Sequence, residues 1–528
     1  MPELERDNEV ELAYGVRLRS SGVSATVGDV RQAPTATRPV RGVVADELLG
    51  DSGDAVARLL PVVEAAGMRT VLAVPLDDVQ VPPTPFGGVR ALTGEENYVE
   101  LSVPGPDPDE GQVVLEVDEV GLVRWHIDVE AAATAVAIAD NGTALAARGV
   151  APVRAGIEQT FRIPIVQLDQ GGVGGQQRGF LGFGVRKVLH LIRFPIEAAA
   201  AAVGKAVVGW WEDRRRPHAL SLVTPESLGD VPPPDGVSAA RLAELADKPF
   251  LVLVHGTFST IRSGFAGLNR SGGGQPDLAE LVARYEGRVL GFDHQTLHVD
   301  PTTNADWFLR RLPTDRPVTL DLLTHSRGGL VGRRIADPAL AAAAGVPTPD
   351  VRRLIHVGTP NGGTVLASPK RWTTLIDVFT NLFSMLPEEV ATPTAEAVIE
   401  LVKQVATGVF NGLAGLTAMD PGNPAVTAAN AQVFGGGASG AAGAVRAITS
   451  DFTPAAEDLR LRALNAIVDP FFGTGNDLVV PTQGVFEAGD YRVTDPFVVQ
   501  SPSAVVHTAF FSDVRVRAKL GEWLPGAV

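Results

Sequence analysis

Two patterns of apolar positions divide the chain. Over residues 98–127, YVELSVPGPDPDEGQVVLEVDEVGLVRWHI alternates apolar and polar positions with the period of a strand, and PGPDPDEG predicts a turn between strands of an antiparallel β region. Upstream, VVADELLGDSGDAVARLLPVVEAAGMRTVLAVPL predicts strand, helix, strand, and QTFRIPIV around Phe161 predicts one more strand. Beyond about residue 235 the pattern changes. FLVLVHG, starting at Phe250, is an unbroken apolar run, as a parallel strand buried on both faces requires. GRVLGFDH, VTLDLLTHS, VRRLIHVGTP and AVRAITSDF repeat that form, with helix-like stretches such as DLAELVARY and NADWFLRRL between them. Strands alternating with helices predict an α/β sheet of mostly parallel strands.

These changes give expected boundaries. Residues 1–167 form a mixed, β-rich N-terminal domain; 168–244 form a helical connector and the Pro-rich linker TPESLGDVPPPDG; 245–528 form the α/β domain. Within the last, an insertion over about 365–443 carries RWTTLIDVFTNLFSML and AEAVIELVKQVATGVFNGLAGL, both apolar at helical spacing. FGGGASGAAGA, Phe434 to Ala444, reads as loop.

Residues 180–211 are apolar over a membrane-like length, but Arg186, Lys187, Arg193, Glu197 and Lys205 interrupt them and Pro195 breaks a helix. Two readings remain for 180–216: a connector packed on a domain, or a helix lying on a membrane surface through Trp210, Trp211 and Arg214 to Arg216.

Composition narrows the chemistry. A chain of 528 residues exceeds one ordinary core. Its net charge of −16 argues against a nucleic-acid partner, since that affinity rests on Lys and Arg neutralising phosphates. With no cysteine there is no disulfide, thiol nucleophile or thiolate metal site. The start MPELERDNEVELAYG lacks the form of a signal peptide, so a cytoplasmic location is expected.

The chemistry centres on LDLLTHSRGGLV, where a strand runs through a turn into a helix with Ser326 at the turn. A serine exposed on so sharp an elbow needs small neighbours two residues before and after. Gly328 meets the second need, and Thr324 stands where the first glycine belongs. Taken alone, Ser326 is also consistent with an ordinary turn. A serine nucleophile needs a histidine base and an acid to orient it, in the chain order Ser, acid, His for such a sheet. His356 sits inside the apolar run RRLIHVGTP and reads as a core residue; His507, on a loop before the terminal helix, is the base candidate. Asp477 in GTGNDLVVPT is the favoured acid, with Asp451 in AITSDF as the alternative, and either could simply cap a turn. For the oxyanion, the backbone N–H of Arg327 is one donor, and VLVHGTF supplies the other from Thr257, with Phe258 as second choice. His255 is expected to brace that loop.

Taken together, HGTF, THSRGG, GTPNGGT, NDLVVPT and HTAFF resemble the serine α/β-hydrolase superfamily, in its lipase/esterase branch of bacterial triacylglycerol lipases and lecithin:cholesterol-acyltransferase-like lipases. GLTAMDPGNPAVTAANA, Gly415 to Ala431, resembles the stretch after the lid in those lipases. The resemblance covers residues 245–528 and implies an α/β-hydrolase fold, an acyl-enzyme on Ser326, a small-molecule ester or lipid substrate, and no metal or organic cofactor. It further implies that the 365–443 insertion caps the site and lines an apolar acyl pocket. Amidase, thioesterase and acyltransferase chemistry would use the same three residues, and a scaffold that binds partners through its N-terminal domain is the reading outside enzymes.

Overall fold

A computed structural model describes residues 1–32, 59, 61–81, 97–128, 158–165, 185–196, 207–225, 228, 236–269, 277–383, 388–407, 413–431, 445–500 and 504–526. The first strand expected upstream of the early helix and all of FGGGASGAAGA fall outside these residues.

Eleven described strands precede residue 200: β1 (Glu3–Leu4), β2 (Glu9–Glu11), β3 (Arg17–Ser21), β4 (Ser24–Val27), β5 (Arg31–Gln32), β6 (Arg69–Gln80), β7 (Tyr98–Val103), β8 (Glu110–Asp118), β9 (Val123–His126), β10 (Gln159–Pro164) and β11 (Val185–Pro195). They form two antiparallel sheets, one in the order β1-β4-β6-β11-β8-β9 with β5 beside β6, the other in the order β10-β7-β3-β2. The PGPDPDEG turn therefore joins strands of different sheets rather than a hairpin. Side-chain alternation explains the layering. On β8, Val114 joins a core with Leu101, Phe161 and Leu189 between the two sheets, while Val113, Leu115 and Val117 face the opposite way into a core shared with the 365–443 insertion.

Within the 180–216 segment, residues 185–195 depart from the helical reading. They are strand β11, central in its sheet, and among the described residues of the segment helix covers Val207–Arg215. The described charges of the apolar run, Arg186, Lys187 and Arg193, have partners across the sheet. Lys187 Nζ lies 2.5 Å from the buried Glu116 carboxylate, and Arg193 Nε donates to Gln112 at 2.8 Å. In the helix Val207–Arg215, Trp211 packs against the core shared with the insertion, and Glu212 is fully buried. Among the described residues no helix is long and apolar enough to cross a membrane.

Glu212 accepts the backbone N–H groups of Thr296, Leu297 and His298 at 2.7–2.9 Å, and its carboxylate also binds His298 Nδ1 at 2.7 Å. Burial pushes this carboxyl up, but the bonds from His298 and the two backbone donors outweigh it and hold it below its usual range. Glu212→Ala would leave three buried N–H groups without an acceptor; a loss of about 3 kcal/mol or more is expected, read as a fall in Tm.

The remaining strands are β12 (Ala219–Leu222), β13 (Phe250–Val254), β14 (Val289–Asp293), β15 (Thr319–His325), β16 (Asp350–Val357), β17 (Val445–Ser450), β18 (Glu487–Ala488), β19 (Tyr491–Arg492) and β20 (Phe497–Val499). Apart from the small β18–β19 hairpin they make one sheet, β12-β14-β13-β15-β16-β17-β20, parallel except for β12. This is an α/β fold whose sheet has apolar layers on both faces. Phe250, Val252 and Val254 enter one, and Leu251 and Leu253 the other. The sheet begins at β12, earlier than the boundary expected near residue 235, because four residues too short to show a period form its edge strand.

Candidate active site

Ser326 ends β15 in the middle of the sheet, where the C-terminal ends of parallel strands open a site in folds of this type. Its φ is 53°, the left-handed region that a serine adopts at a cost, and its N–H is tied to Val357 O at 2.8 Å. The close passage of neighbouring backbone explains the small residues. A Cβ on Gly328 would overlap the carbonyl oxygens of Val254 and His255, and one on Gly256 would lie 2.5 Å from Ser326 Cβ. Thr324 is accommodated from the helix side. Its hydroxyl donates to Ile355 O at 2.8 Å, and its methyl occupies space that Gly332 leaves open, where a Cβ would come within 2.9 Å.

Ser326, His507 and Asp477, from three distant segments, meet in one line. His507 Nε2 is 2.9 Å from Ser326 Oγ, and His507 Nδ1 is 2.8 Å from Asp477 Oδ2. The other Asp477 oxygen accepts the N–H groups of Val479 and Val480 at 3.0 and 2.8 Å, which fixes the carboxylate plane. The His507 loop is held at several points: His507 N–H donates to Asp477 O, and Val505 N–H to Ser450 Oγ. Gly358, at φ 58°, makes room beneath, since a Cβ there would meet Phe510, Asp477 and His507.

Asp451, the alternative acid, is not in this line. Its side chain is exposed and sits over Gly475, whereas Asp477 is fully buried beside His507. His356 Nε2 lies 2.6 Å from the Tyr491 hydroxyl and burial pulls its pKa down to about 3, so it is a neutral core residue. His255 is bonded within its loop to Gly256 O and accepts the N–H of His294.

Of the oxyanion donors, Phe258 is already engaged: its N–H donates to Thr296 Oγ1 at 3.3 Å. No hydrogen bond among the described residues uses the N–H of Thr257 or Arg327. The Arg327 side chain has its own task, donating to Gly415 O at 2.9 Å and to Val299 O, which pins the residue that follows Ser326.

Two further side chains support the site. His325 Nε2 donates to His507 O at 2.9 Å; burial takes its pKa to about 3, so the ring is neutral and this nitrogen keeps its proton. Arg216, the last arginine of the RRR run, is buried and donates to Phe258 O and Ser259 O at 3.1 and 3.2 Å. Only the fold brings it under the loop it supports.

A family model described as Domain of unknown function (DUF7379) matches residues 215–525. The chain belongs to this family. The DUF7379 match starts just before β12, in keeping with the sheet's extent. No curated protein matches the chain. Among solved structures, the enol-lactonase from Burkholderia xenovorans LB400 is similar at 12% identity, over 58% of this chain and 95% of that one, with a TM-score of 0.26.

In this DUF7379 chain the site is closed. Ser326 is 3% exposed and His507 1%. The insertion helix Trp372–Phe383 lies above them, with the Phe379 ring edge-on to His507 at 6.3 Å and to Phe258 at 4.7 Å. Met419 Sδ receives the Thr257 hydroxyl at 3.5 Å. Two cavities, of about 690 and 520 Å³, lie along the outer side of the helix Gly328–Ile335 and beside Gly484; neither is lined by Ser326 or His507.

Proposed function

We propose that this chain is a serine hydrolase of the α/β-hydrolase superfamily that cleaves carboxylic esters. The observation that carries the reading is the continuous line Ser326 Oγ, His507 Nε2, His507 Nδ1, Asp477 Oδ2, at 2.9 and 2.8 Å. His507 takes the Ser326 proton as Oγ attacks the ester carbonyl, and the N–H groups of Thr257 and Arg327 receive the oxyanion. Collapse of the tetrahedral intermediate expels the alcohol, which leaves with the proton held by His507. Water, deprotonated by His507, then attacks the acyl-enzyme; the acid departs and Ser326 regains its proton. Asp477 keeps Nδ1 as the protonated nitrogen and stabilises the imidazolium.

The insertion serves as a cap. Phe258, Phe379 and Met419 belong to one apolar cluster around the line, which supports an apolar acyl group, as in the lipase/esterase branch. A p-nitrophenyl ester series from acetate to dodecanoate tests this: kcat/KM should rise with chain length, and a flat series removes the case for an acyl pocket. The burial of Ser326 also favours a second reading, acyl transfer, because a site closed to bulk water lets an alcohol compete for the acyl-enzyme. Adding 1-butanol and measuring butyl ester against free acid separates the two.

Arg216 supports Phe258 and Ser259, so Arg216→Met should let the Thr257 N–H drift and lower kcat by up to about 10²-fold with little change in KM. An unchanged kcat would mean that the loop holds its shape without it.

A further inference from the structure

We infer that the N-terminal β-sandwich bolts the cap helix Trp372–Phe383 over Ser326, so that the chain takes ester molecules singly from solution and is not switched on at a lipid–water interface. The substrate class rests on the ester-hydrolase reading; the bolt itself does not.

A lid that opens onto lipid has one face on the site and the other in water. The helix Trp372–Phe383 has no such outer face, since every residue from Leu375 to Phe383 is buried. A helix buried all round belongs to a core. Its polar residues Asp377, Thr380 and Asn381 stand three and four positions apart, on one stripe. That stripe meets β9, the last strand of its sheet, whose unpaired edge would otherwise lack hydrogen-bond partners.

The fit alternates with the strand. Val123 N–H donates to Asn381 Oδ1 at 3.0 Å, and Trp125 N–H donates to Asp377 Oδ1 at 2.8 Å. Asn381 Nδ2 returns a bond to Val123 O at 2.7 Å, and the Trp125 indole N–H donates to Thr380 Oγ1 at 3.1 Å. Residues two apart on β9 thus pair with side chains on the helix, as they would with a further strand. Below this seam Val113, Leu115, Val117 and Phe194 of the sheet share one apolar cluster with Leu375, Phe379 and Leu382. A second tie joins the next cap helix, where Lys403 Nζ donates to Ala66 O at 2.5 Å. Lifting the cap would break these bonds and open that cluster to water, and nothing about a lipid surface would replace the edge bonds of β9.

Amide hydrogen exchange on the full chain tests the bolt without needing turnover. Protection of the Val123 and Trp125 amides should be unchanged by vesicles of dioleoylphosphatidylcholine; faster exchange at these two amides with vesicles would overturn the proposal. Asp377→Ala combined with Asn381→Ala should speed their exchange by roughly tenfold or more, and unchanged exchange would contradict the seam. Thr380→Val, which keeps the shape, should speed exchange of the Trp125 indole N–H alone, and an unmoved indole would count against the assignment. Tributyrin titrated through its solubility limit then addresses the substrate class. A smooth saturating curve is expected, and a stepwise rise at the limit would refute it. Absence of hydrolysis both below and above the limit would overturn the ester reading, and the single-molecule substrate class with it, while the exchange results decide the bolt independently.

Discussion

Ser326→Ala is expected to lower kcat on a p-nitrophenyl ester by at least about 10³-fold while the protein stays folded. The loss is large because the hydroxyl is the bond-forming atom. Without it only binding and the oxyanion donors remain, and His507 can at best activate a water in the space vacated. Stability should move little. Ser326 Oγ has one partner, His507 Nε2, and alanine removes the hydroxyl without leaving a void the size of a side chain. Alanine would also hold the same left-handed backbone, φ 53°, at a cost similar to that of serine. Circular dichroism and Tm on the same preparation separate lost chemistry from lost structure.

Asp477→Asn should cost up to about 10⁴-fold in kcat, and Asp451→Asn should leave kcat within about twofold. The asymmetry follows from hydrogen-bond chemistry. Asp477 accepts on both oxygens, from Val479 and Val480 N–H on one side and from His507 Nδ1 on the other. Asparagine keeps its one oxygen on the two backbone donors and turns its NH₂ toward His507. Nδ1 must then become the acceptor, the proton moves to Nε2, and the nitrogen facing Ser326 can no longer take a proton. Asp451, exposed and apart from His507, has no such leverage. Equal losses in the two variants would mean that the acid is shared or misassigned.

How much of this was legible in the sequence depended on the range of the interaction. β13, FLVLV, is an unbroken apolar run, so local composition alone marks it as buried on both faces, whereas β15 carries Asp321 inside its run. Ser326, Asp477 and His507 were legible because each stands in a short motif, and the chain order of the three restricts the choices. Asp477, between the GTGN turn and the apolar LVV, is the favoured acid over Asp451 from sequence, and the fold shows which carboxylate lies beside the imidazole: Asp477 Oδ2 is 2.8 Å from His507 Nδ1, while Asp451 sits over Gly475. The Phe258 N–H is engaged by a nonlocal partner, the hydroxyl of Thr296. Strand β11 was missed because its charges read as interruptions of a helix. Lys187 and Arg193 stand six residues apart on one face of a strand, matched by Glu116 and Gln112, which lie 71 and 81 residues earlier in the chain. Arg216 and the Asp377, Thr380 and Asn381 stripe act through partners tens to hundreds of residues distant, and no short pattern marks them; His325 stands within THSRGG, but its partner His507 is 182 residues on.

The most direct measurement is covalent. The intact protein is treated with a fluorophosphonate probe and digested, and the modified peptide is located by mass spectrometry. A single adduct on Ser326, absent in Ser326→Ala and strongly reduced in His507→Ala, is the predicted result. An unlabelled wild-type protein, or an adduct that persists at full strength in Ser326→Ala, would contradict the account.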